Sequence, residues 1–120
     1  AGIVGMVAAM AETVRYRDRF RDEVGGARDR FEAVLSDAVP GLVVNGDPEH
    51  RLVQHSHVRS PGVSTETLLI RLDQAGIAAA AGSACQSGAI EISHVLEAMG
   101  MPLDWAKGTL RFSVGRMTTA

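Results

Sequence analysis

The chain contains only one cysteine and one lysine among its 120 residues. A single cysteine excludes an intramolecular disulfide, and a lone thiol is typical of a reducing, cytoplasmic compartment. A single lysine, Lys107, restricts any Schiff-base chemistry within the chain to that one residue. The sequence also lacks a glycine-rich phosphate-binding loop between a strand and a helix. It therefore offers no evident site for a phosphate-bearing cofactor.

Long apolar runs and a strong excess of one charge are missing as well. No run approaches the roughly 20 residues that span a bilayer, and the formal net charge is −2. We therefore expect no membrane segment and no general attraction to nucleic acid. The chain begins without methionine inside a predicted helix, and it stops at a threonine pair that is typical of a helix start. We expect it to be a piece of a longer protein.

Hydrophobic periodicity predicts a long helix over residues 2–38. Its first half places apolar side chains on one face, at Ile3, Val7, Met10 and Val14. The pair Gly25-Gly26 predicts a kink or break, because glycine disfavours a helix interior. A helix of this length exceeds what a domain of 120 residues needs. It is therefore predicted to link two domains.

Residues 39–120 are predicted to form a body of short strands and helices. Alternation and turn residues predict four strands, at 42–44, 52–58, 77–81 and 109–114. Helices are predicted over 65–74 after the N-cap Ser64, after Ser93, and as a short turn near Pro102. This order predicts an α+β fold, in which a small, mainly antiparallel sheet packs against helices.

Cys85 is the strongest candidate for chemistry. It lies in a predicted loop, 82–90, between the small residues Ala84 and Ser87, just after an apolar run. Small neighbours leave a thiol accessible, and as a thiolate it could attack a soft electrophile. A loop cysteine without a task is the alternative, and the residues alone leave both interpretations open.

Arg111 is the second candidate. Strand alternation places it with Ser113 on the face opposite Leu110 and Phe112. A guanidinium group is well suited to bind a carboxylate through two hydrogen bonds. The alternative is an ordinary surface arginine paired with an acidic residue, and the same two interpretations apply to Arg116.

Histidines suggest a weaker possibility. His55 and His57 share one face of a predicted strand, and together with Cys85 they could form a soft metal site. A solvated histidine pair is the commoner case, so no metal ligand is assigned. His94 follows a helix cap and is expected to have a packing or surface role.

Three segments, taken together, resemble the C-terminal region of the cysteine desulfurases, which are pyridoxal-phosphate enzymes of the class V aminotransferase group. The segments are Gly82-Ser83-Ala84-Cys85, Ser93-His94-Val95-Leu96 with Ala98-Met99-Gly100, and Leu110-Arg111-Phe112-Ser113-Val114-Gly115-Arg116 with Thr118-Thr119. The turn at Asn45 and the helix after Ser64 fit in the same order. The resemblance therefore covers essentially the whole chain.

The resemblance implies fold-type-I architecture and a homodimer that removes sulfur from L-cysteine. Cys85 matches the cysteine that accepts this sulfur as a persulfide, leaving L-alanine. Arg111 matches the arginine that holds the substrate carboxylate. The persulfide is then passed to iron–sulfur scaffold proteins or tRNA-thiolation enzymes.

The chain also departs from the family pattern. The lysine, stacking histidine and aspartate that hold pyridoxal phosphate belong to a large domain preceding this stretch, so no cofactor-binding residue is assigned here. Val53-Gln54 replaces a frequent Pro-Asn pair. We expect residues 1–120 to form the C-terminal small domain, with 1–38 as a linking helix and 39–120 as the body. Alone, the chain is expected to bind no pyridoxal phosphate and to be inactive.

Three other interpretations remain open. The chain could be a stand-alone sulfur-relay or protein-docking module that uses Cys85. It could instead be a Cys/His metal-binding domain. An aminotransferase with another substrate is disfavoured, because a Gly-Ser-Ala-Cys loop has no task in transamination.

Overall fold

The computed structural model describes residues 2–81 and 93–118. The predicted cysteine loop, 82–90, lies outside these residues. The helices and strands follow the order α1 (Gly2–Ala38), β1 (Val43–Val44), β2 (His55–Arg59), α2 (Thr65–Gln74), α3 (His94–Ala98), α4 (Leu103–Ala106) and β3 (Thr109–Ser113). No helix in this described part of the chain is both long and apolar enough to cross a membrane.

The three strands form one antiparallel sheet in the order β1-β2-β3. This confirms the predicted fold class, a small antiparallel sheet with helices and a long N-terminal helix. The register pairs Val58 with Leu110 on the buried face, and His57 with Arg111 on the opposite face. Successive side chains of β2 and β3 therefore lie on opposite faces of the sheet, as period-two alternation requires.

The strand predicted over 77–81 is wrong. In this segment only Ala80 pairs with the sheet, through backbone hydrogen bonds of 2.8 and 3.0 Å with Arg111. A run of alanines has little side chain to pack on a pleated surface, and alanine is depleted in strands. Ile77 is 48% exposed, so it does not anchor the run in the core.

Helix α1 runs unbroken through Gly25-Gly26, so the expected break is absent. Gly25 is buried, and a Cβ built on it would lie 3.7 Å from Cβ of Val53. This tertiary contact outweighs the low helix propensity of glycine. Further along the helix, the Phe31 ring meets the Phe112 ring edge-on, with 5.0 Å between centroids.

A buried ion-pair network joins the second half of α1 to the segment before β2. Glu32 accepts two hydrogen bonds of 2.8 Å from Arg51, and Nε of Arg28 lies 3.8 Å from the same carboxylate. Arg28 and Glu32 are almost fully buried. A bidentate arginine–carboxylate pair fixes geometry as well as charge, so it holds this segment in one position against the helix.

Two predicted signals mark the ends of α2. The Ser64 hydroxyl accepts a hydrogen bond from the N–H of Thr67 at 3.5 Å, and Gly76 adopts a left-handed conformation with φ 74°. At the start of this helix, the Thr65 hydroxyl lies 2.7 Å from the carbonyl of Lys107 and 2.8 Å from that of Thr109. Helix α2 is thus fastened to the residues that begin β3.

Gly108, directly before β3, occupies the tightest backbone contact among the described glycines. A Cβ there would overlap the carbonyl oxygen of Ser60 and lie 3.0 Å from that of Val63. The same Ser60 donates its N–H to the carbonyl of Gly108 at 3.0 Å. The two backbones can approach this closely only because position 108 has no side chain.

We predict that Gly108→Ala lowers the free energy of unfolding by about 1–3 kcal/mol, the range for overpacking a filled site. Urea unfolding of the purified protein measures this change. Gly115→Ala is the matched control, because a Cβ at Gly115 meets nothing within 4 Å and its φ is not positive. Equal stability of the two variants would contradict the close contact.

Candidate functional site

The polar face of the sheet borders a cleft of about 430 Å³. Arg111 lies on this face, opposite the buried Leu110, as strand alternation predicts. The cleft is lined by residues from β2 and β3, from the turn after β1, and from α3 with its N-cap. They are Asn45, Gly46, His57, Ser93, His94, Val95, Leu96, Met99 and Arg111. Val95, Leu96 and Met99 therefore give the α3 side of the cleft an apolar portion, and Arg111 gives the sheet side a cation.

The Arg111 side chain is exposed at this cleft. In residues 2–81 and 93–118 its guanidinium pairs with no carboxylate. Five N–H donors in a rigid fork suit a carboxylate ligand. The cleft thus offers an accessible cation that can bind an anionic group.

A chain of side-chain hydrogen bonds runs beside Arg111. Nη1 of Arg59 donates to Oδ1 of Asn45 at 2.7 Å, and Nδ2 of Asn45 lies 2.9 Å from Nδ1 of His57. The backbone N–H of Asn45 also donates to the carbonyl of His57 at 2.7 Å. The Arg59 guanidinium stacks on the Trp105 ring, 4.9 Å from its centroid. Each member of the chain is therefore held by at least two contacts.

The pKa of His57 is lowered, first by burial of the ring and second by the positive charge of Arg111. Both causes disfavour the imidazolium form. The ring is therefore neutral near pH 7, where it carries one donor nitrogen and one acceptor nitrogen.

The turn that carries Asn45 is itself ordered by Asp47. Its Oδ1 accepts hydrogen bonds from the backbone N–H groups of Glu49 at 2.8 Å and His50 at 3.0 Å. These bonds, that from Glu49 above all, lower the pKa of the Asp47 carboxyl group. Gly46 beside it adopts φ 94°, a conformation that glycine permits.

Arg116, the second arginine candidate, lies away from the cleft against α1. Its Nη1 is 4.0 Å from Glu12, and its guanidinium stacks on Tyr16 at 5.1 Å from the ring centroid. Arg116 is therefore an ordinary surface arginine paired with an acidic residue. His94 is exposed, and it lines the cleft at the start of α3.

Lys107 borders a different cavity, next to the start of α2. Its Nζ lies 3.9 Å from Asp104, and the side chain is 61% exposed. The single lysine is therefore not brought to the cleft that contains Arg111.

The described residues hold no cluster of three or more His, Cys, Asp or Glu side chains able to bind a metal. His55 and His57 share a face as predicted, but Nδ1 of His55 lies 2.9 Å from the Ser113 hydroxyl. Cys85, the third predicted ligand and the predicted nucleophile, lies outside the described residues.

Sequence reasoning misses Asn45 and Arg59 as parts of this site. One signal was present, because Arg59 is two residues beyond His57 and shares its strand face. For Asn45 the signal was its place directly after a strand and before a glycine turn. Neither pattern indicates that the two side chains meet.

Proteins similar to this chain in sequence are cysteine desulfurases. The chain is 40% identical over 119 residues to cysteine desulfurase NifS of Azotobacter vinelandii, covering 99% of the chain and 30% of the relative. It is 41% identical over 117 residues to a cysteine desulfurase of Klebsiella pneumoniae, covering 98% and 29%. The chain thus spans less than a third of the length of these relatives. The resemblance predicted from the sequence is confirmed.

Solved structures with the same fold carry related names. A NifS-like protein from Rickettsia africae ESF-5 superimposes with a TM-score of 0.79 at 21% identity, over 93% of this chain and 28% of that one. Another NifS-like protein gives a TM-score of 0.81 at 25% identity, over 98% and 29%. No family model matches the chain.

We predict that Arg111→Met raises the pKa of His57 only part of the way to its ordinary value of 6.5, because burial is the larger cause and remains. An NMR titration of the His57 ring measures this, with Arg116→Met as the control that leaves the pKa unchanged. A full return to the ordinary value would contradict the assigned order of causes.

The same lowered pKa gives a pH dependence of stability. The unfolded chain binds the His57 proton more tightly than the folded chain does. This difference in proton affinity therefore lowers the free energy of unfolding as the pH falls from about 6.5 towards the lowered pKa of His57.

Proposed function

We propose that this chain is the C-terminal small domain of a cysteine desulfurase, an enzyme that converts L-cysteine to L-alanine and transfers the sulfur to Cys85. The observation that carries the proposal is the exposed Arg111 guanidinium at a cleft, at the position where the resemblance places a carboxylate-binding arginine. Similarity to cysteine desulfurases over 99% of the chain supports it.

Arg111 binds the substrate carboxylate in this proposal. Two parallel N–H···O bonds orient the amino acid as well as hold it, because the fork and the carboxylate are both planar. Val95, Leu96 and Met99 line the side of the cleft contributed by α3 with apolar side chains.

Cys85 accepts the sulfur. Its thiolate forms a bond to the sulfur of L-cysteine, the carbon–sulfur bond of the substrate breaks, and the freed carbon takes up a proton. L-cysteine and a thiol thereby become L-alanine and a persulfide, with no other oxidant or reductant needed. Because the attacking species must be a free thiolate, we propose a cytoplasmic, reducing location. This role of Cys85 depends on the sequence resemblance alone.

Pyridoxal phosphate is the cofactor of the parent enzyme in this proposal, but the described residues do not fit it. The only lysine, Lys107, lies beside Asp104 at a separate cavity. We therefore place the cofactor site in a part of the parent enzyme outside this chain.

Helix α1 (residues 1–38 in the proposed domain division) links the body, 39–120, to that other part. Its first turns expose an apolar face, on which Ile3 is 76%, Val7 57%, Met10 61% and Val14 73% exposed. Such a face is suited to cover by another protein surface. The whole enzyme is proposed to be a homodimer that hands persulfide sulfur to an iron–sulfur scaffold or tRNA-thiolation partner.

In the parent enzyme, Arg111→Met is expected to raise the KM for L-cysteine at least about tenfold, because hydrogen bonds to a charged group are lost. Steady-state alanine formation measures it. Arg116→Met is the control, since Arg116 packs on Tyr16 away from the cleft. An unchanged KM for the Arg111 variant would contradict the carboxylate role.

The 120-residue chain by itself is expected to release no sulfide from L-cysteine, with or without added pyridoxal phosphate, because its one lysine is not at the cleft. A sulfide assay tests this, with the parent enzyme as the positive control. Sulfide release by the isolated chain would contradict the proposal that the cofactor site lies outside it.

A further inference from the structure

We propose that His57 supplies, beside Arg111, a second hydrogen-bond donor to the substrate carboxylate, and that Arg59 and Asn45 hold its ring in the tautomer that can do so. This inference rests on the proposed function, because it takes the ligand of Arg111 to be a carboxylate. It assigns His57 a binding role, and it assigns Asn45 and Arg59 positioning roles.

The backbone brings His57 and Arg111 together. They are direct partners in the antiparallel register of β2 and β3, and side chains of such partners share one face with their Cβ atoms about 4.5–5.5 Å apart. Both line the same cleft. A carboxylate that binds one of the two side chains is therefore within reach of the other.

The tautomer of His57 follows from the direction of the hydrogen-bond chain. Arg59 is always a donor, so the Asn45 atom that it contacts at 2.7 Å must be the carbonyl oxygen Oδ1. The amide nitrogen Nδ2 is then left to face Nδ1 of His57 at 2.9 Å, and it donates to that atom. Because Nδ1 accepts, the proton of the neutral ring lies on Nε2.

This arrangement makes Nε2–H available while the ring stays neutral. Protonation of Nδ1 would place an N–H against the amide N–H of Asn45 and add a charge beside Arg111. The Arg59 guanidinium cannot turn away easily, because it is also stacked on Trp105. The chain from Trp105 to His57 therefore fixes a donor at the cleft without adding a second cation.

The test uses the parent enzyme with His57→Phe, which keeps a planar aromatic ring and removes the donor. We expect the KM for L-cysteine to rise at least about tenfold, the loss of one hydrogen bond to a charged group, with kcat changed much less. His57→Gln, which offers an amide N–H at a distance similar to Nε2, is expected to restore part of the binding. His55→Phe is the matched control on the same strand face, and it is expected to leave KM unchanged.

A double variant shows which group His57 contacts. If both residues bind the same carboxylate, His57→Phe has a much smaller effect in an Arg111→Met background. A full-sized effect in that background, or an unchanged KM in His57→Phe alone, would overturn the inference. If Arg111→Met itself leaves KM unchanged, the proposed function fails, and that result is distinct from a failure at His57 alone.

The tautomer provides a readout that does not depend on activity or on the tolerance of position 57 to substitution. Long-range ¹H–¹⁵N NMR of the histidine-labelled protein is expected to show the proton of His57 on Nε2, and Asn45→Ala is expected to give a mixture of tautomers. A proton on Nδ1 in the unsubstituted protein would overturn the proposed chain of hydrogen bonds.

Discussion

The antiparallel register between β2 and β3 is the constraint on which the other features depend. It sets His57 against Arg111 on the cleft side and Val58 against Leu110 in the core. A slip of one residue would exchange the two faces of a strand. Arg111 would then lie where Phe31 now packs on Phe112, and burial of an unpaired guanidinium there is strongly unfavourable. The register between β2 and β3 therefore determines both which residues line the site and which residues form the core.

Contacts at both ends of the β2–β3 pair stabilise this register. At one end Ser60 donates its N–H to the carbonyl of the closely packed Gly108 at 3.0 Å, and at the other Val114 donates its N–H to the carbonyl of Gln54 at 2.9 Å. The pair of Glu32 and Arg51 fixes the segment that leads into β2 against α1. On the face that carries Arg111, the Arg111 side chain pairs with no carboxylate among the described residues, and its guanidinium is left for binding.

Local pattern is sufficient to predict part of this architecture. Period-two alternation places Arg111 with Ser113 on one face of its strand and His55 with His57 on one face of theirs, and helical periodicity indicates the extent of α1. The Asn45–Arg59 contact is not predictable in this way, because it joins residues 14 positions apart whose meeting depends on how β1 pairs with β2. The strand predicted over 77–81 is wrong for a related reason. An apolar run indicates a tendency to be buried, but it does not indicate whether the segment pairs along its length with a neighbouring strand. The role of Cys85 comes from family resemblance and stays a prediction.

The uninterrupted course of α1 has a mechanical consequence. The buried part of the helix begins at Val24, and Arg116 of the body contacts Tyr16 and Glu12 nearer its start, whereas every residue from Gly2 to Arg15 is exposed. From Val24 to Gly2 the helix extends about 33 Å at 1.5 Å per residue, so a tilt of about 10° displaces its tip by about 6 Å. Because the helix is unbroken at Gly25-Gly26, a protein surface bound to its free end would turn together with the sheet. Small rotations of the cleft and large displacements at the far end of α1 are then the same motion.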